Sequence, residues 1–273
     1  MGRVRKVFSF IVKTQLIISL GGGFYYLIGH TMLQEKFIFQ PTRFLLILSG
    51  TWLTYATYRR ILSIKKRLWI TLVLYTTYLC LLFIYLPVLE TAFLLHLALL
   101  SFFYDPVSFI PGRLFSLRKV PLLKLVILSY IWASIASFYP ALFLNISIFN
   151  REVSTLFWIQ FCFIMSITIP FDIRDFYLDL KDNLITVPRI FGFKNAKRIA
   201  TFFLVVFAIL LLDYKIEILS VGILVVLALW LIWRSDRRRS NIYYGFWLDG
   251  LIILYFLLVY IHFNAQALIR LIS

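Results

Sequence analysis

The chain of 273 residues is 62% hydrophobic, 19% aromatic and only 15% charged, with a mean hydropathy of +0.91. Soluble domains hold about 45–50% apolar and about 25% charged residues, so a water-soluble globule, a disordered chain and a disulfide scaffold are excluded, which leaves a polytopic membrane protein. The formal charge of +16, from 28 Lys and Arg against 12 Asp and Glu, must then be explained by position.

Windows of roughly 20 mostly apolar residues, the length that crosses a bilayer, fall at 8–29, 43–58, 68–86, 87–104, 121–143, 153–172, 197–213, 216–233 and 246–268. These nine spans predict one all-α integral-membrane domain over 1–273. The first span is the least regular, with Lys13 and Gly21-Gly22-Gly23 inside it, and it lacks the cleavage pattern of a signal peptide. The third and fourth spans part only at Leu86-Pro87, and the seventh and eighth only at Asp213-Tyr214-Lys215, so both pairs predict tight helical hairpins. With the N-terminus inside, most basic residues fall in inside loops, as the positive-inside rule requires. That pattern explains the charge without a nucleic-acid partner and places the chain in a membrane such as the bacterial inner membrane. Cys80 and Cys162 lie inside spans with no disulfide or metal spacing and read as packing residues. The sequon-like Asn145-Ile146-Ser147 sits in a short outside loop and is assigned no function.

The scarce acids are informative. Asp172, Asp175, Asp179 and Asp182 cluster at the inside end of the sixth span, in Pro170-Phe-Asp-Ile-Arg-Asp-Phe-Tyr-Leu-Asp-Leu-Lys-Asp182. On a continuous helix these spacings place all four within an arc of roughly 80°, which predicts one acidic stripe on an amphipathic extension of the span. Like charges at these spacings repel. Arg174 and Lys181 offer a structural ion-pair network. A divalent cation is the sharper reading, because Mg²⁺ takes oxygen ligands and is held by one or two carboxylates with substrate phosphates.

Asp172-x-x-Asp175-x-x-x-Asp179, followed by Thr186-Val-Pro188 and Gly192, resembles the second aspartate-rich motif of the UbiA-type intramembrane prenyltransferases. The resemblance covers essentially the whole chain, since nine spans, an inside N-terminus and the hairpin pairs agree with that fold. It implies an all-helical bundle around a central cavity, transfer of a polyprenyl group from a prenyl diphosphate to a lipophilic acceptor, and Mg²⁺ held by Asp172, Asp175 and Asp179 as the catalytic motif. Arg59, Arg60, Arg113, Arg118, Lys119, Arg174 and Lys181 are the candidate diphosphate ligands, and Tyr104, Tyr177 and Asp249 the candidate cavity lining. The expected partners are thus a prenyl diphosphate, a lipophilic acceptor and membrane lipid; protein partners are not specified by the sequence.

The family's first aspartate motif belongs at the end of the second span, where this chain reads Thr54-Tyr-Ala-Thr-Tyr-Arg59-Arg60 with no carboxylate between Glu35 and Glu90. Two classes of function follow. In one, the protein is a divergent prenyltransferase in which Arg59 and Arg60 replace a metal held by the missing carboxylates. In the other, the fold is kept by a non-catalytic lipid- or quinone-binding membrane subunit. An ion-coupled transporter is a third idea, weakened by acids gathered at one interface rather than at the midplane. Lys13 reads as snorkelling to the near interface, and Asp249 as either a substitute carboxylate or an acid placed for the helix dipole.

Overall fold

A backbone in lipid has no water to satisfy its N–H and C=O groups, so an apolar chain crosses as helices. A computed structural model describes residues 13–59, 64–105, 116–214 and 216–272, and no strand occurs among them. The helices are α1 (Leu16–Gln34), α2 (Pro41–Tyr58), α3 (Ile64–Tyr85), α4 (Val88–Tyr104), α5 (Leu123–Ala136), α6 (Phe138–Phe143), α7 (Arg151–Arg174), α8 (Phe176–Lys181), α9 (Val187–Asp213), α10 (Ile218–Arg234) and α11 (Asp249–Ile272). Five helical segments are long and apolar enough to cross a membrane, namely Leu16–Gln34, Leu123–Phe143, Arg151–Arg174, Val187–Asp213 and Tyr243–Ala265. Trp69–Tyr85, Val88–Tyr104 and Ile218–Arg234 are apolar but shorter. α2 is in neither group; Thr42, Arg43, Ser49, Thr51, Thr54 and Thr57 make it more polar. The chain is an integral-membrane, all-helical bundle.

Helix α1 is the centre of the bundle, packing on α2, α11, α5 and α6, while α7 packs on α5 and α9. Its glycines make this possible. A Cβ at Gly29 would lie 1.6 Å from the Ala136 carbonyl oxygen, and one at Gly23 would lie 2.6 Å from the Phe44 ring. Small residues that let helix backbones approach are the usual device of membrane packing. The predicted irregularity of the first span is real: Gln15 takes a left-handed conformation (φ 62°), so Lys13 sits beyond a turn rather than on α1.

One feature of the acidic segment departs from expectation. Pro170 lies inside α7, removing a backbone donor, and the helix ends at Arg174; Asp175 (φ −87°, ψ 7°) separates it from α8. The acidic segment is therefore a broken helix, not a continuous one, and its aspartates reach different partners. The last span opens on a π-helical turn, Tyr243–Leu248, that delivers Asp249. Such turns recur at functional sites.

Candidate active site: an acid-rich cavity joined to an aromatic slot

A cavity of about 370 Å³ sits at the basic end of the bundle, where α2, α5, α7 and α11 converge. Its wall holds six carboxylates, Asp105, Asp172, Asp175, Asp179, Asp182 and Asp249, and four cations, Arg59, Arg118, Lys124 and Arg174. All four clustered aspartates thus face one cavity, as the stripe predicts, but the broken helix splits their pairing. Lys124 Nζ lies 2.7 Å from Asp172 Oδ1 and 3.1 Å from Asp179 Oδ2. Arg174 grips Asp175 through Nε and Nη2, both at 2.7 Å. Arg118 donates to Asp105 at 2.9 Å and lies 3.8 Å from Asp182.

These contacts set the charge states outside the spans. Burial raises the Asp175 carboxyl, but the hydrogen bonds and charge of Arg174 outweigh it and hold Asp175 below the usual range. Asp179 is pushed up, by burial first and by Asp175 second, with Lys124 and Arg118 opposing. Burial lowers Arg59 and the neighbouring Arg174 charge lowers it further. The Arg59 side chain makes no hydrogen bond or ion pair among the described residues, while its backbone N–H donates to the Tyr55 carbonyl oxygen at 2.9 Å.

Among the described residues no three His, Cys, Asp or Glu side chains are gathered as a preformed metal site. The nearest arrangement is the Asp172/Asp179 pair. Asp172 is 1% exposed, and neither of its carboxylate oxygens makes an aligned hydrogen bond, Oδ1 being held only by the Lys124 charge. Asp172 Oδ2 is buried with no hydrogen-bond partner and could serve as an oxygen ligand of the kind Mg²⁺ takes, while the Lys124 ammonium occupies the space between the two acids. The lining's formal excess of acids over bases also favours an added cation.

Tyr55, Tyr58, Tyr104 and Trp132 line both this cavity and an apolar slot of about 160 Å³ between α2, α3, α4 and α5. The Tyr58 and Tyr104 rings are 5.7 Å apart, and the slot beyond them is walled by Leu82, Leu94, Leu97 and Ile131.

The structure brings together Asp172, Asp175, Asp179, Arg59, Arg118, Arg174, Tyr104 and Asp249. Tyr177 is not part of the lining: it is 64% exposed and its hydroxyl accepts a hydrogen bond from Arg237. Lys119 and Lys181 are exposed and line none of these cavities. Arg60 and Arg113 lie outside the described residues. Lys124 is the principal residue missed, although a lysine inside a predicted span (121–143) is the kind of intramembrane charge that marks a site. Tyr55, Tyr58 and Trp132 were hidden among ordinary membrane aromatics.

No protein-family model and no curated protein matches the sequence. A solved structure described as a digeranylgeranylglyceryl phosphate synthase in membranes is similar over 97% of this chain and 100% of that chain, with a TM-score of 0.55 at 17% identity. At that sequence distance the likeness is one of fold: the chain is built as that membrane synthase is built, end to end.

Proposed function

We propose that the protein is a divergent UbiA-like prenyltransferase that binds a prenyl diphosphate with its head in the acid-rich cavity and its chain in the aromatic slot. The observation that carries the reading is that the acid-rich cavity and the apolar slot share an aromatic border, Tyr55, Tyr58, Tyr104 and Trp132, so that a polar chamber suited to a diphosphate lies beside an apolar space suited to an isoprenoid. The fold shared with a synthase whose product name contains geranylgeranyl groups supports it.

Arg118, Lys124 and Arg174 would donate to the diphosphate oxygens; Arg118 Nε is buried and unbonded, a donor open to an oxyanion. Arg59 adds a positive charge at the cavity wall with no carboxylate in ion-pair contact among the described residues. Mg²⁺ held by Asp172 and Asp179 would neutralise charge on the leaving pyrophosphate; Asp175 stays with Arg174. As the C–O bond to the diphosphate breaks, positive charge develops on the allylic carbon, and the rings of Tyr55, Tyr58, Tyr104 and Trp132 bordering both spaces would stabilise it by cation–π attraction. The acceptor nucleophile then bonds to that carbon and gives up its proton, and pyrophosphate leaves through the polar cavity. The reading carries with it a location in the bacterial inner membrane with the basic end toward the cytoplasm. A second reading, a non-catalytic lipid- or quinone-binding subunit of the same fold, draws on Lys124, whose ammonium stands between the two aspartates as a permanent counter-ion would.

The slot assignment is tested with Ala98→Trp, which fills the apolar channel without touching the polar cavity. Binding of non-hydrolysable prenyl thiodiphosphates to the purified protein should weaken by about ten-fold for the geranylgeranyl analogue, while inorganic pyrophosphate binding stays the same. Equal losses for both ligands, or for neither, would remove the tail from the slot.

A further inference from the structure

Away from these cavities, cations gather where α9 and α10 meet at the basic end of the bundle. Gly192 (φ 76°, ψ 166°) interrupts α9, and the long apolar part of that helix restarts beyond it with Lys194, Lys197 and Arg198 in its first two turns. At about 100° per residue the three fall within an arc of roughly 100° on one face. Helix α10 packs beside α9 and ends at Arg234, and the turn that follows adds Arg237, Arg238 and Arg239. Lys197 ties the two ends together: its ammonium donates to the Trp233 carbonyl oxygen at 2.9 Å, and the Trp233 indole N–H donates to the Thr201 hydroxyl at 3.2 Å. Asp236 is the one carboxylate in the turn, and its Oδ1 accepts the Arg238 backbone N–H at 2.8 Å. Among the described residues none of these cations is in ion-pair contact with an acid.

Three of the arginines are seated on rings. The Arg234 guanidinium lies 4.9 Å from the centre of the Trp230 ring, that of Arg237 4.8 Å from Phe193 and 5.0 Å from Tyr177, and that of Arg239 5.5 Å from Tyr243. Arg237 also donates to the Tyr177 hydroxyl at 2.6 Å, and Arg239 to the Arg234 carbonyl oxygen at 3.2 Å. Cations held in this way lose less rotamer freedom when an anion binds. Further along the same two helices the exposed side chains turn apolar, with Phe202, Val205 and Ile209 on α9 and Val226, Leu227 and Trp230 on α10. A basic rim over an apolar stripe, with tryptophans at the border, has the profile of a lipid in one membrane leaflet, anionic head at the surface and chains along the helices. We propose that the junction of α9 and α10 is a binding site for a diacyl phospholipid with a net negative headgroup, its phosphate held among Lys194, Arg198, Arg238 and their neighbours. None of the cations of this rim lines the acid-rich cavity or the aromatic slot, so the site stands apart from the prenyl-transfer reading.

Mass spectrometry of the purified full chain under non-denaturing conditions, titrated with phosphatidylglycerol or with phosphatidylcholine of the same acyl chains, counts the lipids retained. Phosphatidylglycerol should saturate a site with about ten-fold higher affinity than phosphatidylcholine shows. Arg198→Gln and Arg238→Gln, both at exposed positions, should each weaken phosphatidylglycerol binding by about five-fold, the share of one cation at a membrane surface, and the double variant by about 25-fold. Lys119→Gln removes the same charge from an exposed position in the loop before α5 and should change the affinity by less than about two-fold. Equal affinity for the two lipids would overturn the inference, because the headgroup charge would then not be recognised. An equal loss in Lys119→Gln would also overturn it, assigning the attraction to the field of the whole basic end. Displacement of phosphatidylglycerol by an equal concentration of glycerol phosphate would make the ligand a soluble anion, and unchanged binding in both site variants would place the lipid elsewhere; either result overturns the site.

Discussion

Lys124→Met is expected to destabilise the folded protein by about 3–5 kcal/mol, the cost of leaving a buried charge without its partner. Lys124 is the counter-charge for two carboxylates at once, Asp172 and Asp179, whose side chains are 1% and 4% exposed. Methionine fills the stem's volume but supplies no charge, so the two acids face each other across a desolvated gap. Unfolding of the purified protein in mixed detergent, followed by tryptophan fluorescence, measures the loss. Adding Asp172→Asn and Asp179→Asn to Lys124→Met should recover most of it, because the neutral amides no longer need an ammonium. An unchanged unfolding midpoint in Lys124→Met would show that water already screens the three groups. A prenyl thiodiphosphate should also bind less tightly to Lys124→Met, and the triple variant, with its stability restored, should not regain that binding.

At the opposite end of the bundle Glu90→Ala is expected to have an effect of similar size, about 3–5 kcal/mol, for a reason unconnected with the site. Glu90, in the first turn of α4, accepts from Arg43 Nε at 2.9 Å and Nη2 at 2.8 Å, and from the Tyr139 hydroxyl at 3.1 Å. The Arg43 guanidinium also lies 3.7 Å from the centre of the Phe143 ring. One carboxylate thus ties α2, α4 and α6 together, and the paired side chains are only 16% and 6% exposed. Removing it strands an arginine against an aromatic face. Glu90→Gln, which keeps an acceptor, should cost less, and the double variant Arg43→Leu/Glu90→Leu should be closer to wild type than Glu90→Ala. The same unfolding measurement orders the three; a milder Glu90→Ala than Glu90→Leu/Arg43→Leu would contradict the account.

Much of the helical layout is legible in the sequence. Span 43–58 becomes Pro41–Tyr58 and span 153–172 becomes Arg151–Arg174, because an apolar run in lipid can satisfy its backbone only as a helix. The site is only half legible. Asp172, Asp175 and Asp179 announce themselves as a local cluster, and all three line one cavity although the helix that carries Asp172 ends before Asp175. Their partners do not, since Lys124 is separated from Asp179 by 55 residues and lies at the edge of an apolar run where a lysine reads as a topology signal. The helix ends at Arg174, and Asp175 separates it from α8, on which Tyr177 is exposed and accepts a hydrogen bond from Arg237. The carboxylate-free end of the second span is informative in a way that composition hides: Tyr55 and Tyr58 border both the cavity and the slot. Which of many membrane aromatics converge is decided by helix packing, here by the contacts of α1 that glycine permits.

In the proposed reaction the two adjoining spaces hold a prenyl diphosphate and the chain transfers its prenyl group. Incorporation of label from tritiated geranylgeranyl diphosphate into lipid, by purified protein in native lipid extract with Mg²⁺, tests it most directly. The account predicts labelled lipid product that is lost in Asp172→Asn and in Arg118→Leu. A folded protein that forms no labelled lipid from farnesyl, geranylgeranyl or longer prenyl diphosphates, and binds none of them, would contradict it.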